Sequence, residues 1–277
     1  MKRKIFCLSL AFALLLPAAA SACTLWAAQG SAVNGGGSMI VKNRDWLPNQ
    51  YQHLKLIKPE KGYAYFSLYA EGTPAGTKAG INEHGLVAVS ATAGSIPAGE
   101  RAKIEGLPSL TRVLGECASV EEALSRTDLL VGPKILMLAD KKRVAAVEIG
   151  PGSFSVRVVE NGAIFHTNHY VHDDMLTFNV KVGLSSRQRY ERIGELVGED
   201  DWTFSFSDFL GFSEDRKGGA DNGIFRTGSA PGKTRTVAVW AVRLPAEGSP
   251  EIYVKLLNPG EEEKVFHYSA EKLFEDY

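Results

Sequence analysis

Apolar and polar positions along this chain fall into strand-length runs more often than into helical stripes. Residues 23–29 (CTLWAAQ) and 39–45 (MIVKNRD) are β-prone runs on either side of a connection rich in turn residues, Gly30, Asn34, Gly35, Gly36 and Gly37, so they predict an N-terminal hairpin. Antiparallel pairing about that connection sets Cys23 beside Arg44 and Asp45. Further runs predict strands near 63–69, 78–82, 86–91, 134–139, 145–149, 153–159, 163–167, 234–244 and 251–257. Helical patterns lie between them. One covers 110–118, and a second is opened by the capping box Ser119-x-x-Glu122. A third, 186–197, places Arg187, Tyr190, Ile193 and Val197 on neighbouring turns, and 207–211 reads as a short helical turn. No internal repeat or linker interrupts the pattern, and strand groups separated by helix groups predict a layered α+β architecture.

The N-terminus changes how the rest is read. Lys2, Arg3 and Lys4 precede an apolar stretch from Ile5 to Leu16 that is broken by Ser9, and Ala20-Ser21-Ala22 closes it as a cleavage signal. Residues 1–22 are therefore expected to be an export leader, with the mature protein periplasmic or extracellular. The apolar run is short for a bilayer span, and no later segment is long and apolar enough to serve. The 277-residue chain carries a formal charge of −1, and loss of the leader, with three positive charges and no negative one, makes it −4. Neither value, nor any polybasic segment, gives a footprint for nucleic acid. With 44% hydrophobic and 23% charged residues, disorder is excluded as the main state.

Cys7 leaves with the leader, so Cys23 and Cys117 remain and Cys23 becomes the first residue. Three readings of Cys23 follow: a disulfide to Cys117, a lipidated cysteine, or a nucleophile whose own α-amine is the base. The last is chemically economical, because an α-amine titrates near ~8 and is partly neutral at working pH. His166, His169 and His172, with Asp173 and Asp174, are residue types that can bind zinc, but the spacing puts the middle histidine on the opposite face of a strand. Gly150-Pro151-Gly152 and Gly218-Gly219 read as turns without a phosphate-binding continuation. No metal or other cofactor is expected.

The residues also carry a family resemblance. Cys23-Thr24-x-Trp26 followed by Lys42-Asn43-Arg44-Asp45-Trp46 resembles the opening of the N-terminal nucleophile cysteine amidases: choloylglycine hydrolases, penicillin V acylases and the isopenicillin N acyltransferase group. Gly80-Ile81-Asn82-Glu83-His84-Gly85-Leu86, Thr167-Asn168-His169-Tyr170, Ser185-Ser186-Arg187 with Tyr190 and Arg192, and the strand Thr236 to Val242 resemble later family segments in the same order. The short chain and the Thr-Asn-His-aromatic form are closer to the acyltransferase branch.

This resemblance implies a single domain from residue 23 to 277 with a four-layer αββα sandwich. It implies Cys23 as nucleophile and Asp45 as the carboxylate holding the amine. Asn82 and Asn168 would stabilise the oxyanion or position the amine, and Arg187 would tie the network together. Lys42 stands where the family usually has arginine, and Arg44 shares its strand face; since lysine does not reproduce a bidentate guanidinium contact, either residue is left to fill that role. The expected partner is a small-molecule amide, cleaved by hydrolysis or by acyl transfer, and a homo-oligomer is compatible with the sequence. The competing class is a lipid-anchored binding module with Cys23 modified. Cleavage after Ala22 by itself exposes Cys23, so no internal autoproteolytic split is expected.

Overall fold

The computed structural model describes residues 22–72, 75–103, 110–198 and 202–275. The leader, apart from Ala22, lies outside the described residues. The first half runs β1 (Ala22–Gln29), β2 (Ser38–Trp46), β3 (Gln52–Ile57), β4 (Tyr65–Ala70), β5 (Gly76–Asn82), β6 (Val87–Thr92), α1 (Ala98–Arg101), α2 (Leu110–Glu116) and α3 (Val120–Ser125). It continues through β7 (Lys134–Ala139), β8 (Val144–Gly150), β9 (Ser153–Val159), β10 (Gly162–His166), α4 (Leu184–Val197), α5 (Phe206–Ser213) and α6 (Gly219–Asn222). The last elements are β11 (Arg235–Leu244), β12 (Glu251–Leu256), β13 (Lys264–Ser269) and α7 (Ala270–Glu275).

The strands form two antiparallel sheets, one ordered β10-β1-β2-β11-β12-β13 and the other β3 to β9 in sequence order. Alternating side chains sort them into three apolar layers. Leu25, Ile40, Trp240 and Val242 of the first sheet meet Phe66, Ile81, Val89 and Met137 of the second, making the layer between the sheets. Leu86, Leu136, Leu138 and Val147 face the other way and are covered by Leu110, Val113, Leu114 and Cys117 of α2 and its end. Trp26, Met39, Val41 and Val239 are covered by Ile193 and Val197 of α4 and Phe209 of α5. The result is the expected αββα arrangement. Because both faces are covered, every residue of β1 is buried.

The N-terminal hairpin forms in the predicted register, with Cys23 opposite Arg44 and Ala22 opposite Asp45. Its connection depends on glycine: Gly35, Gly36 and Gly37 all have positive φ, and a Cβ at Gly37 would stand 2.1 Å from the Leu244 carbonyl oxygen. β11 lies on the other side of β2, with a register irregularity between Thr236 and Ala238 that leaves Thr236 opposite Asp45. Two strands that the sequence pattern does not announce, β3 and β13, are edge strands of the two sheets. Ser119 caps α3 by accepting from Glu122 N at 3.1 Å, whereas the Glu122 carboxylate takes Ala118 N, one residue before the reciprocal donor.

Candidate active site

Cys23 is the second residue of β1 and is buried, its side chain in the layer between the sheets. Its backbone is gripped from far along the chain. The Cys23 N–H donates to Asn168 Oδ1 at 2.8 Å, and the Cys23 carbonyl accepts from Arg189 Nη1 at 2.6 Å. Arg189 also donates to Thr24 Oγ1 at 2.8 Å and, through Nη2, to Asn168 Oδ1 at 3.0 Å. Asn168 is itself fixed, since its N–H donates to Ser186 Oγ at 3.0 Å and its Nδ2 to the Thr92 carbonyl at 2.9 Å.

The two faces of β2 divide the remaining charges. Lys42 and Arg44 lie on the face of Cys23 and reach into the second sheet. Lys42 Nζ donates to the carbonyls of Lys78 and Ser90, at 2.5 and 2.7 Å. Arg44 donates to the side-chain oxygens of Gln50 and, at 2.7 Å, Gln52, and its guanidinium stands 5.2 Å from the centre of the Trp46 ring. Burial pushes the Lys42 ammonium down to about 7; the Cys23 sulfur opposes this, Arg44 and Lys78 add to it, and Asp45 opposes it. Burial lowers Arg44 and Arg189 to about 10, so both guanidiniums stay charged at neutral pH.

Asp45 projects to the other face, where Thr236 Oγ1 donates to its Oδ1 at 2.8 Å and Arg226 Nη1 stands 3.7 Å from its Oδ2. Burial raises its carboxyl above the ordinary range, while Arg226, Arg189, the Thr236 hydroxyl and Arg44 pull it back. A buried carboxylate beside two arginines is held by charge as well as by hydrogen bonding.

Of the residues read from sequence, Cys23 and Asn168 are joined directly and Lys42 lies on the face of Cys23. Asp45, on the opposite face of β2, bonds Thr236 beside Arg226 and not the Cys23 nitrogen, which Asn168 takes instead. Arg187 takes no part in the network. It is exposed on α4, whose buried residues are Ser186, Arg189, Ile193 and Val197. One residue turns a helix by about 100°, so a position next to Ser186 leaves the buried stripe, whereas Arg189, four before Ile193, lies along its flank. Asn82 is also elsewhere. Its Nδ2 donates to the carbonyls of Leu114 and Cys117 at 2.8 and 2.7 Å, and its Oδ1 accepts from His84 N and Leu86 N at 3.1 and 3.0 Å. Those four bonds tie the β5–β6 turn to the end of α2 and leave the side chain nothing to offer the layer that holds Cys23.

Among the described residues Cys23 and Cys117 are free, and Cys117 belongs to the layer under α2, so the two lie in different layers and are not bonded to each other. Burial pushes the Cys117 thiol up to about 11. The three histidines are engaged separately: His166 with Glu148, His169 with Ser186 and His172 with Ser155. Burial, helped by His166, drives His169 down to about 4, which keeps it neutral. Among the described residues no group of His, Cys, Asp and Glu is arranged to hold a metal, and no helix is long and apolar enough to cross a membrane.

Thr24, Ser186, Arg189, Arg226 and Thr236 complete the network without having been picked out individually from sequence. Arg189 had a usable signal in its spacing to Ile193. Arg226 had none, because the turn that brings it to Asp45 follows no periodic pattern.

The fold is shared with proteins of known structure. Conjugated bile acid hydrolase from Clostridium perfringens, in two variant structures, matches at 13% identity over 90% of this chain, covering 93% and 97% of its own length with TM-scores of 0.55 and 0.53. Penicillin V acylase from Agrobacterium tumefaciens matches at 17% identity over 89% of this chain and 86% of its own, with a TM-score of 0.46. Among curated proteins no sequence match was found. Residues 33–255, most of the chain, match the family described as acyl-coenzyme A:6-aminopenicillanic acid acyl-transferase, and the chain belongs to that family.

Proposed function

We propose that this protein is an exported amidase, with acyl transfer as its nearest variant, in which removal of residues 1–22 frees Cys23 to act as an N-terminal nucleophile on a small-molecule amide. Family membership makes the chain an enzyme of amide-bond or acyl-transfer chemistry; the nucleophile, the leader and export are the further reading. The observation that carries it is the grip on Cys23. The residue next to the expected cleavage point is held by side chains 145 and 166 residues away, at its nitrogen and its carbonyl. An amine at that nitrogen could donate one N–H to Asn168 and keep its lone pair for the thiol proton.

The chemistry then follows in balanced steps. The amine takes the proton from the Cys23 thiol as sulfur attacks the amide carbonyl. The tetrahedral adduct collapses as the ammonium returns that proton to the leaving nitrogen, giving a thioester and a free amine. Water, or an acceptor amine in the transfer variant, resolves the thioester and restores the thiol. Lys42 and Arg44, on the face of Cys23, offer N–H donors to the charge that develops on the carbonyl oxygen, and Arg44, lowered only to about 10, is the one that stays fully charged at neutral pH. A preorganised donor of this kind is worth about 3 kcal/mol of barrier.

The lipid-anchored alternative fits poorly with a Cys23 side chain packed between two sheets, because an acylated sulfur would have to leave that layer. Mass spectrometry of the mature N-terminus tests both readings. A chain beginning at unmodified Cys23 is expected, and an added lipid mass overturns the proposal. Turnover of a panel of N-acyl amino acids, acylated dipeptides, penicillins and conjugated bile acids, lost in Cys23→Ala, identifies the substrate class; turnover retained in Cys23→Ala overturns the nucleophile.

A further inference from the structure

β8 is built of valine, alanine, isoleucine and glycine except at Glu148, whose side chain is completely buried in the direction of the other sheet. A carboxylate in that position is strongly unfavourable unless donors surround it. Among the described residues its donors come from one segment of the opposing layer. His166 Nε2 lies 2.6 Å from Glu148 Oε1, Val171 N–H donates to Oε1 at 2.7 Å, and His172 N–H stands 3.3 Å from each oxygen. His166 Nδ1 lies 3.0 Å from Thr167 N and 3.3 Å from the Thr167 carbonyl oxygen, while Nε2 faces the Glu148 carboxylate, an acceptor to which it can only donate. Glu148 therefore ties down both ends of the stretch from His166 to His172. Between those ends lies Asn168, whose Oδ1 receives the Cys23 nitrogen.

We infer that Glu148, acting through His166 and the 171–172 backbone, is a positioning residue that fixes Asn168 against the nitrogen of Cys23. The segment is the end of β10 and the turn beyond it, so its geometry past residue 166 is not set by a strand partner. A side chain crossing from the second sheet supplies what the missing ladder does not. Ser186 and Thr92 hold Asn168 from the sides, and Glu148 sets the span in which it sits. Small displacements there matter, because a nucleophile and its proton acceptor work only within a narrow range of geometry.

The inference rests on the proposed role of Cys23, and its test separates the two. Glu148→Gln keeps one acceptor oxygen, for His166 and Val171, but removes the charge and turns an NH2 toward the His172 N–H. It is expected to lower kcat about 10- to 100-fold, as loss of an orienting partner does elsewhere, with KM little changed. In an Asn168→Ala background the same substitution is expected to add nothing, since both act on one contact. His166→Gln, which can return an amide N–H to the Nε2 position, should retain kcat within a few-fold by the same geometric criterion, and His166→Leu should not. If Glu148→Gln does not fold, as judged by near-ultraviolet circular dichroism, the two His166 variants carry the comparison. Unchanged kcat in Glu148→Gln, an undiminished further loss in the Asn168→Ala background, or equal losses in both His166 variants overturns the inference. Turnover that survives Cys23→Ala overturns the nucleophile reading as well; if Cys23→Ala is dead and the Glu148 effect is additive, this inference alone falls.

Discussion

The turn between β5 and β6 and the segment following β10 each depend on a buried asparagine, and the contrast between them separates architecture from chemistry. Asn82 bonds to two amides of its own turn and two carbonyls at the end of α2, groups whose state does not change while the protein is folded. Asn168 bonds instead to the Cys23 nitrogen and the Arg189 guanidinium, which meet it from remote parts of the chain. Comparable burial thus hides different tasks, and the identity of the partner distinguishes them. A side chain that satisfies only backbone groups in a turn stabilises the fold, whereas one aimed at a nitrogen beside a thiol can also affect turnover.

Substitutions can break or sharpen this contrast. The largest effect is expected from Cys23→Ala, which should abolish turnover while leaving the circular dichroism spectrum and melting temperature near those of the parent. Asn168→Ala should follow, lowering kcat about 100-fold with a modest change in melting temperature, measured by steady-state kinetics alongside thermal melts. Asn82→Ala should do the reverse. Leaving buried carbonyls and amides without partners should destabilise by about 2–4 kcal/mol in chemical denaturation, with kcat preserved at temperatures where the variant is folded; a kinetic loss equal to that of Asn168→Ala would erase the contrast.

A smaller effect concerns a charge that only the Cys23 side carries. Lys42 titrates near 7 in the native state against an ordinary 10.5, chiefly because of burial. Between those values the unfolded chain binds a proton that the native chain releases, so native stability should rise with pH over this window and the cost of burying the ammonium should be fully present below it. Denaturation of wild type and Lys42→Met at several pH values between 7 and 10 should show the wild type gaining relative to the variant as pH rises. The smallest effect is expected from Arg187→Ala. Exposed and away from the network, its loss should leave kcat and stability unchanged, in contrast to Arg189→Ala.

Much of the architecture was legible because its signals are local. The glycines of the first connection fix the hairpin register that places Cys23 opposite Arg44, and the strands at 134–139 and 153–159 have the boundaries their patterns predict. β3 and β13 escaped notice because an edge strand is covered less completely and needs less apolar content; Lys55 and Lys264 are exposed on them. The site was harder to read. Residue type and order pointed to Cys23, Asp45 and Asn168, but Arg187 stands in the matching motif, and the spacing of Arg189 to Ile193 decides between the two only once the buried face of α4 is known. Asn82 sits in a motif whose turn-forming role accounts for all of its hydrogen bonds. Glu148 looks unexceptional in a strand until the opposing layer is in view.

The central pair of the first sheet, β2 with β11, joins residues near the start of the chain to residues some two hundred positions later. Contacts this distant close only after a large loss of chain entropy, and proteins dominated by them fold slowly. During synthesis β2 has an open edge until β11 emerges, and Asp45 lacks both Thr236 and Arg226 until then. An N-terminal fragment containing Cys23, Asp45 and Asn168 but ending before residue 226 would therefore contain those three residues without their assembled setting. The order of synthesis makes β2, the partner of the strand that carries Cys23, one of the first strands available and one of the last to gain its second neighbour.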